Sequence, residues 1–320
     1  MGMMVDGVWR PEKTRWASND GRFVRAKTQF HGTIEAGGPH PPEPGRYHLY
    51  VSYACPWAHR TLLMRALKKL EPMISISVTH WLMREQGWTF APGPDVVPDP
   101  LYGAQYLHEL YARAAPRYTG RVSVPVLWDK VENTIVNNES AEILRIFNSA
   151  FDALGARPGD YYPERLRGEI DALNARIYET LNNGVYKAGF ATTQAAYEEA
   201  IGPLFATLEW LEQRLSEQSF LTGEVITEAD IRLFTTLIRF DAVYATHFKC
   251  NLRRIVDFPN LWDFTRAFFQ HPEIRPTVNF MHIKRHYYES HTDINPYGIV
   301  PLGPLVDFDL PARRRLRLPS

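Results

Sequence analysis

The sequence predicts an α/β domain followed by an all-helical domain, because the periodicity of the apolar residues changes near the middle of the chain. Up to about residue 150, short strand-like segments alternate with helices, whereas amphipathic helices dominate after about residue 160. The length of 320 residues is also too great for one domain of ordinary size. We therefore expect two domains, each with its own core.

The first half opens with a strand, a helix and a second strand. Tyr47–Ser52 alternates as a strand does, Pro56–Leu70 carries one apolar stripe at helical spacing, and Met73–Val78 has apolar residues at alternate positions. Such a β-α-β unit implies a parallel pair with a right-handed crossover. The further predicted elements are helices over 102–113 and 139–147 and a hairpin of strands 122–128 and 134–136. This order, β-α-β-α-β-β-α, is that of a thioredoxin-like fold.

The second half is predicted to be helical throughout. Thr227 and Asp230 resemble a capping box at the start of one helix, with Asp in the place of Glu. The predicted helices are Pro163–Leu181, Thr193–Leu215, Glu228–Tyr244 and Leu261–Phe269. The predicted domains are an extended arm (1–45), a thioredoxin-like domain (46–150), an all-helical domain (160–283) and a C-terminal tail (284–320).

The composition argues against several classes of partner. The 36 basic residues balance the 36 acidic ones, so neither nucleic acid nor an anionic membrane is expected as the main partner. The chain contains no apolar run of the roughly 18 residues that a membrane span needs, and its N-terminus lacks the apolar core of a signal peptide. With only two cysteines, a disulfide-stapled secreted domain is not indicated. We expect a cytoplasmic protein.

Two clusters of polar residues are not assigned a function. His282, His286 and His291 lie close together, but no cysteine or Glu-x-x-His pattern accompanies them, so no metal site is predicted. The basic residues near the C-terminus are interpreted as a solvated tail, with a specific anion site as the alternative. They are Arg313, Arg314, Arg315 and Arg317.

The candidate nucleophile is Cys55, which lies between a predicted strand and a predicted helix in Cys55-Pro56-Trp57-Ala58. The first turn of a helix has unpaired N–H groups and a partial positive charge, so a thiol there generally becomes more acidic. Ala58 stands where a dithiol motif has its second cysteine, so a mixed disulfide on Cys55 needs an external thiol, usually glutathione, to resolve it. The alternative is an inert buried cysteine, which is the interpretation favoured for Cys250.

Two later segments fit the same chemistry. Pro125 lies near the start of a predicted strand, and in thioredoxin-like folds the proline at this place is cis and faces the thiol. An edge-strand proline is the ordinary alternative. Glu139 and Ser140 begin the next helix, where they and the helix N-terminus could bind the amino and carboxylate groups of a γ-glutamyl moiety. The alternative for this pair is a simple helix cap with an acidic first turn.

These motifs together resemble the glutathionyl-hydroquinone reductases, the xi class of glutathione transferases. The likeness extends over nearly the whole chain and includes the tail, which ordinary glutathione transferases lack. The segments that carry it are Tyr53–Arg60, Gly87–Phe90, Arg121–Asp129, Asn137–Ser140, Asn182–Ala191, Ile283–Tyr288, Asn295–Pro296 and Gly298–Pro301.

The resemblance implies a glutathione transferase-like architecture and a ping-pong reaction on aromatic glutathione conjugates, with glutathione as co-substrate and no metal. Cys55 would attack the sulfur of the conjugate, Tyr186 would protonate the departing carbon, and a second glutathione would release glutathione disulfide. Tyr244 and Tyr287 match tyrosines whose hydroxyls lie near the thiol, where a phenol that donates to the thiolate would stabilise it and lower its pKa. Tyr288 competes with Tyr287 for that place. The implied glutathione contacts are Trp88, Arg121, Val122, Ser123, Val124, Glu139 and Ser140. The resemblance also implies a homodimer.

Two other functions stay open at this point. A broader thioltransferase or dehydroascorbate reductase of the omega type would use the same single cysteine. Tyr186 and the long tail favour the glutathionyl-hydroquinone reductase instead. A non-enzymatic assembly module with this fold is disfavoured by the intact Cys55 and the full set of glutathione residues.

Overall fold

The computed structural model describes residues 2–12 and 17–320 and divides them into two units. The first comprises residues 2–12, 26–158 and 281–286, and the second comprises residues 17–25, 159–280 and 287–320. The sequence-based boundaries ran consecutively along the chain. In the structure, the N-terminal arm and the segment after residue 280 are instead each shared between the two units.

The first unit contains a four-stranded sheet with helices, as the sequence predicted. Its order is β4-β3-β5-β6, in which β3 is parallel to β4 and antiparallel to β5, and β5 is antiparallel to β6. The strands are β1 (Met3–Val5), β2 (Val8–Arg10), β3 (Tyr47–Val51), β4 (Ile74–Val78), β5 (Val126–Asp129) and β6 (Thr134–Asn137). The helices are α1 (Pro56–Leu67), α2 (Leu107–Ala114) and α3 (Ser140–Ser149), with a 3₁₀ turn at Asp152–Leu154. The thioredoxin-like order of elements is confirmed.

Helix α2 begins five residues later than predicted, because the residues before it are held in a turn. The carboxylate of Asp99 accepts hydrogen bonds from the backbone N–H groups of Leu101, Tyr102 and Ala104 at 3.0–3.1 Å. Gly103 adopts a φ of +64°, which a helix does not allow. Local side-chain bonds of this kind compete with helix formation.

Strand β5 and the N-terminal arm also differ from the sequence-based expectation. The strand begins at Val126 instead of Val122, since Pro125 has no N–H to donate to a ladder. The arm is not wholly irregular, because β1 and β2 form a two-stranded hairpin. Its turn is Asp6-Gly7, with φ values of +47° and +78°, which suits the tight turn of a hairpin.

The second unit is helical, and two of its predicted helices end in π-helical turns. The predicted capping box of Thr227 and Asp230 is present. The helices are α4 (Arg167–Ile177), α5 (Gly184–Gly189), α6 (Gln194–Glu217), α7 (Glu228–Arg239) and α8 (Pro259–Phe269). The π-helical turns are Tyr178–Asn182 and Phe240–Tyr244, and 3₁₀ turns lie at Glu164–Leu166, Ile255–Asp257 and Arg275–Thr277. Within the described ranges, no helix combines the length and the apolar character that a membrane crossing requires.

The last segment of the chain is more ordered than a solvated tail. A further helix, α9 (Phe280–Ser290), was not predicted and overlaps the beginning of the expected tail. The side chain of Arg314 is mostly buried and binds Asp263 at 2.8 Å. It also donates to the carbonyls of Ser219, Asn260 and Leu215. The expectation of a solvated basic cluster is therefore wrong for Arg314, which docks the tail on the second unit.

A buried ion pair between Arg46 and Asp129 ties β3 to β5. The guanidinium of Arg46 donates to the carboxylate through Nε at 2.9 and 3.0 Å and through Nη2 at 2.6 Å. Burial alone would raise the pKa of Asp129, but the hydrogen bonds from Arg46 and His40 outweigh it and hold that pKa below its usual value.

Asp129→Asn should destabilise the protein by about 3 kcal/mol, because it leaves the Arg46 guanidinium buried without its counter-charge. Urea denaturation would measure the loss. Glu43→Gln is the matched control, since Glu43 meets the same guanidinium from an exposed position and should contribute under about 1 kcal/mol. Equal losses in the two variants would contradict the assignment.

His48 lies in the same sheet with no solvent exposure and bonds to two serines. Its Nδ1 is 2.7 Å from Ser75 Oγ and its Nε2 is 2.9 Å from Ser77 Oγ. The Ser77 hydroxyl donates to the carbonyl of Pro98, so it must accept from Nε2. Nδ1 can then accept from Ser75, which makes the neutral ring fully satisfied.

The burial of His48 should make folding stability fall in mild acid. Burial lowers the pKa of this histidine from 6.5 to about 4, so the unfolded chain takes up the proton first. The stabilisation is complete above pH 6.5 and is lost as the pH falls toward 4, by about 2 kcal/mol at pH 5. Urea midpoints at pH 7.5 and pH 5.0 should differ by less in His48→Gln than in the wild type. An identical pH dependence in both proteins would refute the prediction.

Candidate active site

Cys55 is the N-cap residue of helix α1, as the sequence predicted. Its sulfur accepts a hydrogen bond from the backbone N–H of Ala58 at 3.5 Å, and its S–H is 3.7 Å from the carbonyl oxygen of Val124. The chain reaches this position directly from β3, and Pro56 occupies the first helical position, where no N–H is needed. The side chain is partly exposed. A thiolate here would be stabilised by the helix N-terminus and accessible to a substrate.

The segment before β5 lies against this thiol. The Val124–Pro125 peptide bond is cis, as expected from the sequence. The hydroxyl of Tyr111 donates to the carbonyl of Ser123 at 2.8 Å and lies 3.3 Å from its N–H, which fixes the backbone just before Val124. The structure thus brings two predicted site residues, Cys55 and Val124, into direct contact.

Glu139 and Ser140 lie together at the start of helix α3. Glu139 is the N-cap residue, and its carboxylate accepts from the N–H of Ala141 at 3.2 Å and from the hydroxyl of Thr28 at 3.2 Å. Ser140 Oγ is 3.4 Å from the guanidinium of Arg60, a buried residue of α1. The capping role considered from the sequence is therefore present, and Arg60 links this helix start to the helix that carries Cys55.

The other predicted glutathione contacts lie in loops of the same unit. The ring of Trp88 is buried and stacks on His286, with centroids 4.9 Å apart. His286 in turn bonds to the carbonyl of Trp81 at 2.7 Å, which fixes its ring. Arg121 and Val122 precede Ser123, and the carbonyl of Arg121 accepts from Tyr118 at 2.8 Å.

The three predicted tyrosines meet in the second unit. Tyr186 lies on α5, Tyr244 ends the π-helical turn after α7, and Tyr287 lies on α9. The hydroxyl of Tyr287 is 2.6 Å from that of Tyr186 and 3.0 Å from that of Tyr244. The hydroxyl of Tyr288 points to the carbonyl of Ala242 at 3.5 Å instead. The tyrosine cluster therefore consists of Tyr186, Tyr244 and Tyr287, and the hydroxyl of Tyr288 lies outside it.

Two of the three phenols remain neutral at any physiological pH. Burial, reinforced by the neighbouring phenols of the cluster, raises the pKa of Tyr244 and Tyr287 well above 10. Neutral phenols act as hydrogen-bond donors. The two hydroxyls form a series of hydrogen bonds that runs from Tyr244 through Tyr287 to Tyr186. The half-buried Tyr186 would therefore receive a hydrogen bond when it carries negative charge.

Sequence reasoning missed the residues around the tyrosine cluster. Arg25 and Phe23 come from the N-terminal arm, and their sequence neighbourhood contains no motif that marks them. The guanidinium carbon of Arg25 lies 4.7 Å from the centre of the Tyr186 ring. The aromatic rings of Phe190 and Phe248 are 6.2 and 5.5 Å from the same ring.

The remaining candidates have structural explanations. Cys250 is fully buried, its S–H points to the carbonyl of Phe248, and burial raises its pKa, as expected of an inert thiol. His282 bonds to the carbonyl of Pro94 at 2.8 Å, and His291 Nδ1 is 3.2 Å from His247 Nε2. Among the described residues, no three or more His, Cys, Asp or Glu side chains are placed to hold a metal ion.

A thioredoxin-like unit with a thiol at the N-cap of its first helix, together with a second, helical unit, is the arrangement expected of a thiol-dependent member of the glutathione transferase superfamily. Two family models agree with this class. The glutathione S-transferase N-terminal domain matches residues 54–150, and the C-terminal domain matches residues 194–267.

Individual relatives narrow the assignment. Glutathionyl-hydroquinone reductase PcpF of Sphingobium chlorophenolicum is 60% identical over 95% of this chain and 96% of its own. Glutathionyl-hydroquinone reductase YqjG of Escherichia coli is 55% identical over 99% of both chains. Its structure with glutathione bound superposes with a TM-score of 0.88 over 98% of this chain and 99% of that one. A xi-class transferase from Natrialba magadii gives 0.92 at 48% identity, over 98% and 96% of the two chains. The chain belongs to the glutathionyl-hydroquinone reductases, the xi class of glutathione transferases.

Proposed function

We propose that this protein reduces glutathionyl-hydroquinones with glutathione and releases the free hydroquinone and glutathione disulfide. The observation that carries the proposal is Cys55, a single thiol at a helix N-cap with the N–H of Ala58 directed at its sulfur. Such a thiol is a nucleophile for sulfur, and it needs a second, external thiol to complete a cycle. The names of the relatives indicate the two substrates, a glutathionyl-hydroquinone as the conjugate and glutathione as the external thiol.

The reaction takes two steps. In the first, the Cys55 thiolate attacks the sulfur of the conjugate, a sulfur–sulfur bond forms, and the carbon–sulfur bond breaks. Its electron pair stays on the aromatic carbon, which takes a proton from Tyr186, so the organic group is reduced. In the second, a glutathione thiolate attacks the Cys55–glutathione disulfide, and the proton of that glutathione restores the Tyr186 phenol. The net reaction is balanced: one conjugate and one glutathione give one hydroquinone and one glutathione disulfide.

We assign the recognition of glutathione to residues of the first unit. The carboxylate of Glu139 suits the ammonium of the γ-glutamyl group, and the start of α3 with Ser140 suits its carboxylate. Arg121 can pair with a carboxylate, and Val124 offers main-chain hydrogen bonds. Trp88 contributes an aromatic surface and an N–H group. The proposed glutathione set is Trp88, Arg121, Val122, Ser123, Val124, Glu139 and Ser140.

Tyr244 and Tyr287 are assigned a supporting role. Because their own pKa values are far above neutrality, both stay protonated while Tyr186 gives up its proton. The hydroxyl of Tyr287 then stabilises the phenolate oxygen, and that of Tyr244 supports Tyr287.

The proposal is tested with purified protein, glutathionyl-menadiol and glutathione, following menadiol and glutathione disulfide together. Equal amounts of the two products at a rapid, saturable rate are expected. Dehydroascorbate and a glutathione–cysteine mixed disulfide serve as comparison substrates. Efficient turnover of these two without any menadiol formation would reject the proposal and favour the omega-type thioltransferase.

We further propose that the protein is a cytoplasmic homodimer, by analogy with its family. Sedimentation velocity at micromolar concentration would detect a species of twice the chain mass of 36.9 kDa. A monomer at all concentrations would contradict the dimer, and fractionation of cells would test the location.

A further inference from the structure

The N-terminal arm places one cation on the ring of the proposed proton donor. Arg25 lies in the second unit, where its Nε donates to Oδ1 of Asn183 at 2.7 Å. Its guanidinium carbon is 4.7 Å from the centre of the Tyr186 ring and 5.1 Å from that of Phe23. Asn183 immediately precedes α5, the helix that carries Tyr186. The N-cap residue of this short helix therefore holds the guanidinium, and the helix itself carries the Tyr186 ring that the guanidinium covers.

We propose that Arg25 is a positioning residue that stabilises the negative charge of Tyr186 after it has protonated the leaving carbon. This inference rests on the proposed function and deepens it. A phenol is neutral, but a phenolate spreads its charge over the oxygen and the ring. A cation over the ring face therefore interacts more strongly with the product of the proton transfer than with the reactant, and this difference speeds the step.

The step is confined to the first half of the reaction. The carbon–sulfur bond breaks as the Cys55–glutathione bond forms, and the proton passes from the Tyr186 hydroxyl to carbon. In the second half, one thiolate replaces another at sulfur, and no carbon is protonated. Arg25 should therefore act on the release of hydroquinone and leave the resolution of the mixed disulfide unchanged.

The other groups that face Tyr186 act at different places. From α9, the hydroxyl of Tyr287 contacts the phenol oxygen itself, and the ring of Tyr244 is tilted against the Tyr186 ring at 6.1 Å. The positive charge of Arg239 acts on Tyr244 and Tyr287. The histidine pair His247 and His291 packs against Tyr287 at 6.4 and 5.3 Å. Arg25 differs from all of these because it covers the face of the Tyr186 ring.

The test compares Arg25→Gln with the wild type in single-turnover reactions without free glutathione. Release of menadiol from glutathionyl-menadiol should slow on the order of 30-fold, as expected for loss of a unit charge at this range in a partly screened site. The alkaline limb of the pH–rate profile should move to higher pH, because the phenolate has lost its cation. Arg25→Lys should restore part of the rate by keeping the charge. Arg22→Gln is the control, since Arg22 is exposed on the same arm and pairs with Glu199 instead.

The second half-reaction distinguishes an electrostatic role from a structural one. Protein preloaded as the Cys55–glutathione disulfide should be reduced by glutathione equally fast in the wild type and in Arg25→Gln. Equal slowing of both half-reactions, or an unchanged pH profile, would overturn the inference. An unchanged rate of menadiol release would overturn it too. If the wild type itself releases no menadiol, the proposed function has failed, and that result is separate from any effect of Arg25.

Discussion

Replacing Cys55 by alanine should lower the turnover of glutathionyl-menadiol by at least about 1,000-fold. The sulfur is the only nucleophile in the proposed first step, and the N-cap position supplies its activation through the N–H of Ala58. In the wild type, omission of glutathione should give one equivalent of menadiol and a protein that carries one glutathione by intact mass spectrometry. Cys55→Ala should give neither product.

Cys250→Ala provides the matched control for this loss. It removes the second thiol of the chain, which is buried in the second unit, and it should leave the rate constants unchanged. Menadiol release that persists in Cys55→Ala would exclude the covalent mechanism, and a glutathione adduct that maps to Cys250 would do the same.

Replacing Tyr186 by phenylalanine should slow menadiol release by about 100- to 10,000-fold, the usual contribution of a general acid. The substitution keeps the ring among Phe23, Phe190 and Phe248 and removes only the hydroxyl that bonds to Tyr287. The measurement is the single-turnover rate of menadiol release, with the reduction of a glutathione–cysteine mixed disulfide as the parallel reaction. The second reaction should hardly change, because a thiolate leaves without protonation of carbon.

Tyr288→Phe is the appropriate control for Tyr186→Phe. Tyr288 is the neighbour of Tyr287 on the same helix, but its hydroxyl is directed at the carbonyl of Ala242 and lies outside the tyrosine cluster. It should retain the wild-type rate. If both tyrosine variants released menadiol at the wild-type rate, another group would have to supply the proton.

The sheet of the first unit was predictable because its signals are local. Alternation in β3, the stripe of α1 and the apolar residues of β4 each act over a few residues, and connection rules then determine the parallel pair. The predicted helix boundary was wrong where one side chain binds several backbone groups. The late start of α2 depends on the carboxylate of Asp99, and no periodicity reveals it. The Asp6-Gly7 dipeptide, in contrast, is itself a local signal for a tight hairpin turn.

The residues of the candidate site also differ in whether a local sequence pattern can reveal them. Cys55 could be found from its place between a strand and a helix, because helix termini have their own chemistry. Tyr186, Tyr244 and Tyr287 are distant in sequence, and only the family resemblance selected them from the 16 tyrosines of the chain. Arg25 was not found at all, since its function depends on a contact with a ring 161 positions away in the numbering of the chain. Long-range pairs of this kind leave no pattern in a single sequence.

The burial of Cys250 has a practical consequence for following the motions of this protein. A thiol that is sealed inside the second unit reacts with an aromatic disulfide reagent only when the surrounding helices open, whereas Cys55 is partly exposed in the folded state. In a Cys55→Ala variant, the rate at which the coloured thiolate of the reagent is released would then measure how often the helical unit opens locally. Since Cys250 is then the one cysteine in the sequence, its own thiol reports the opening and no label has to be introduced.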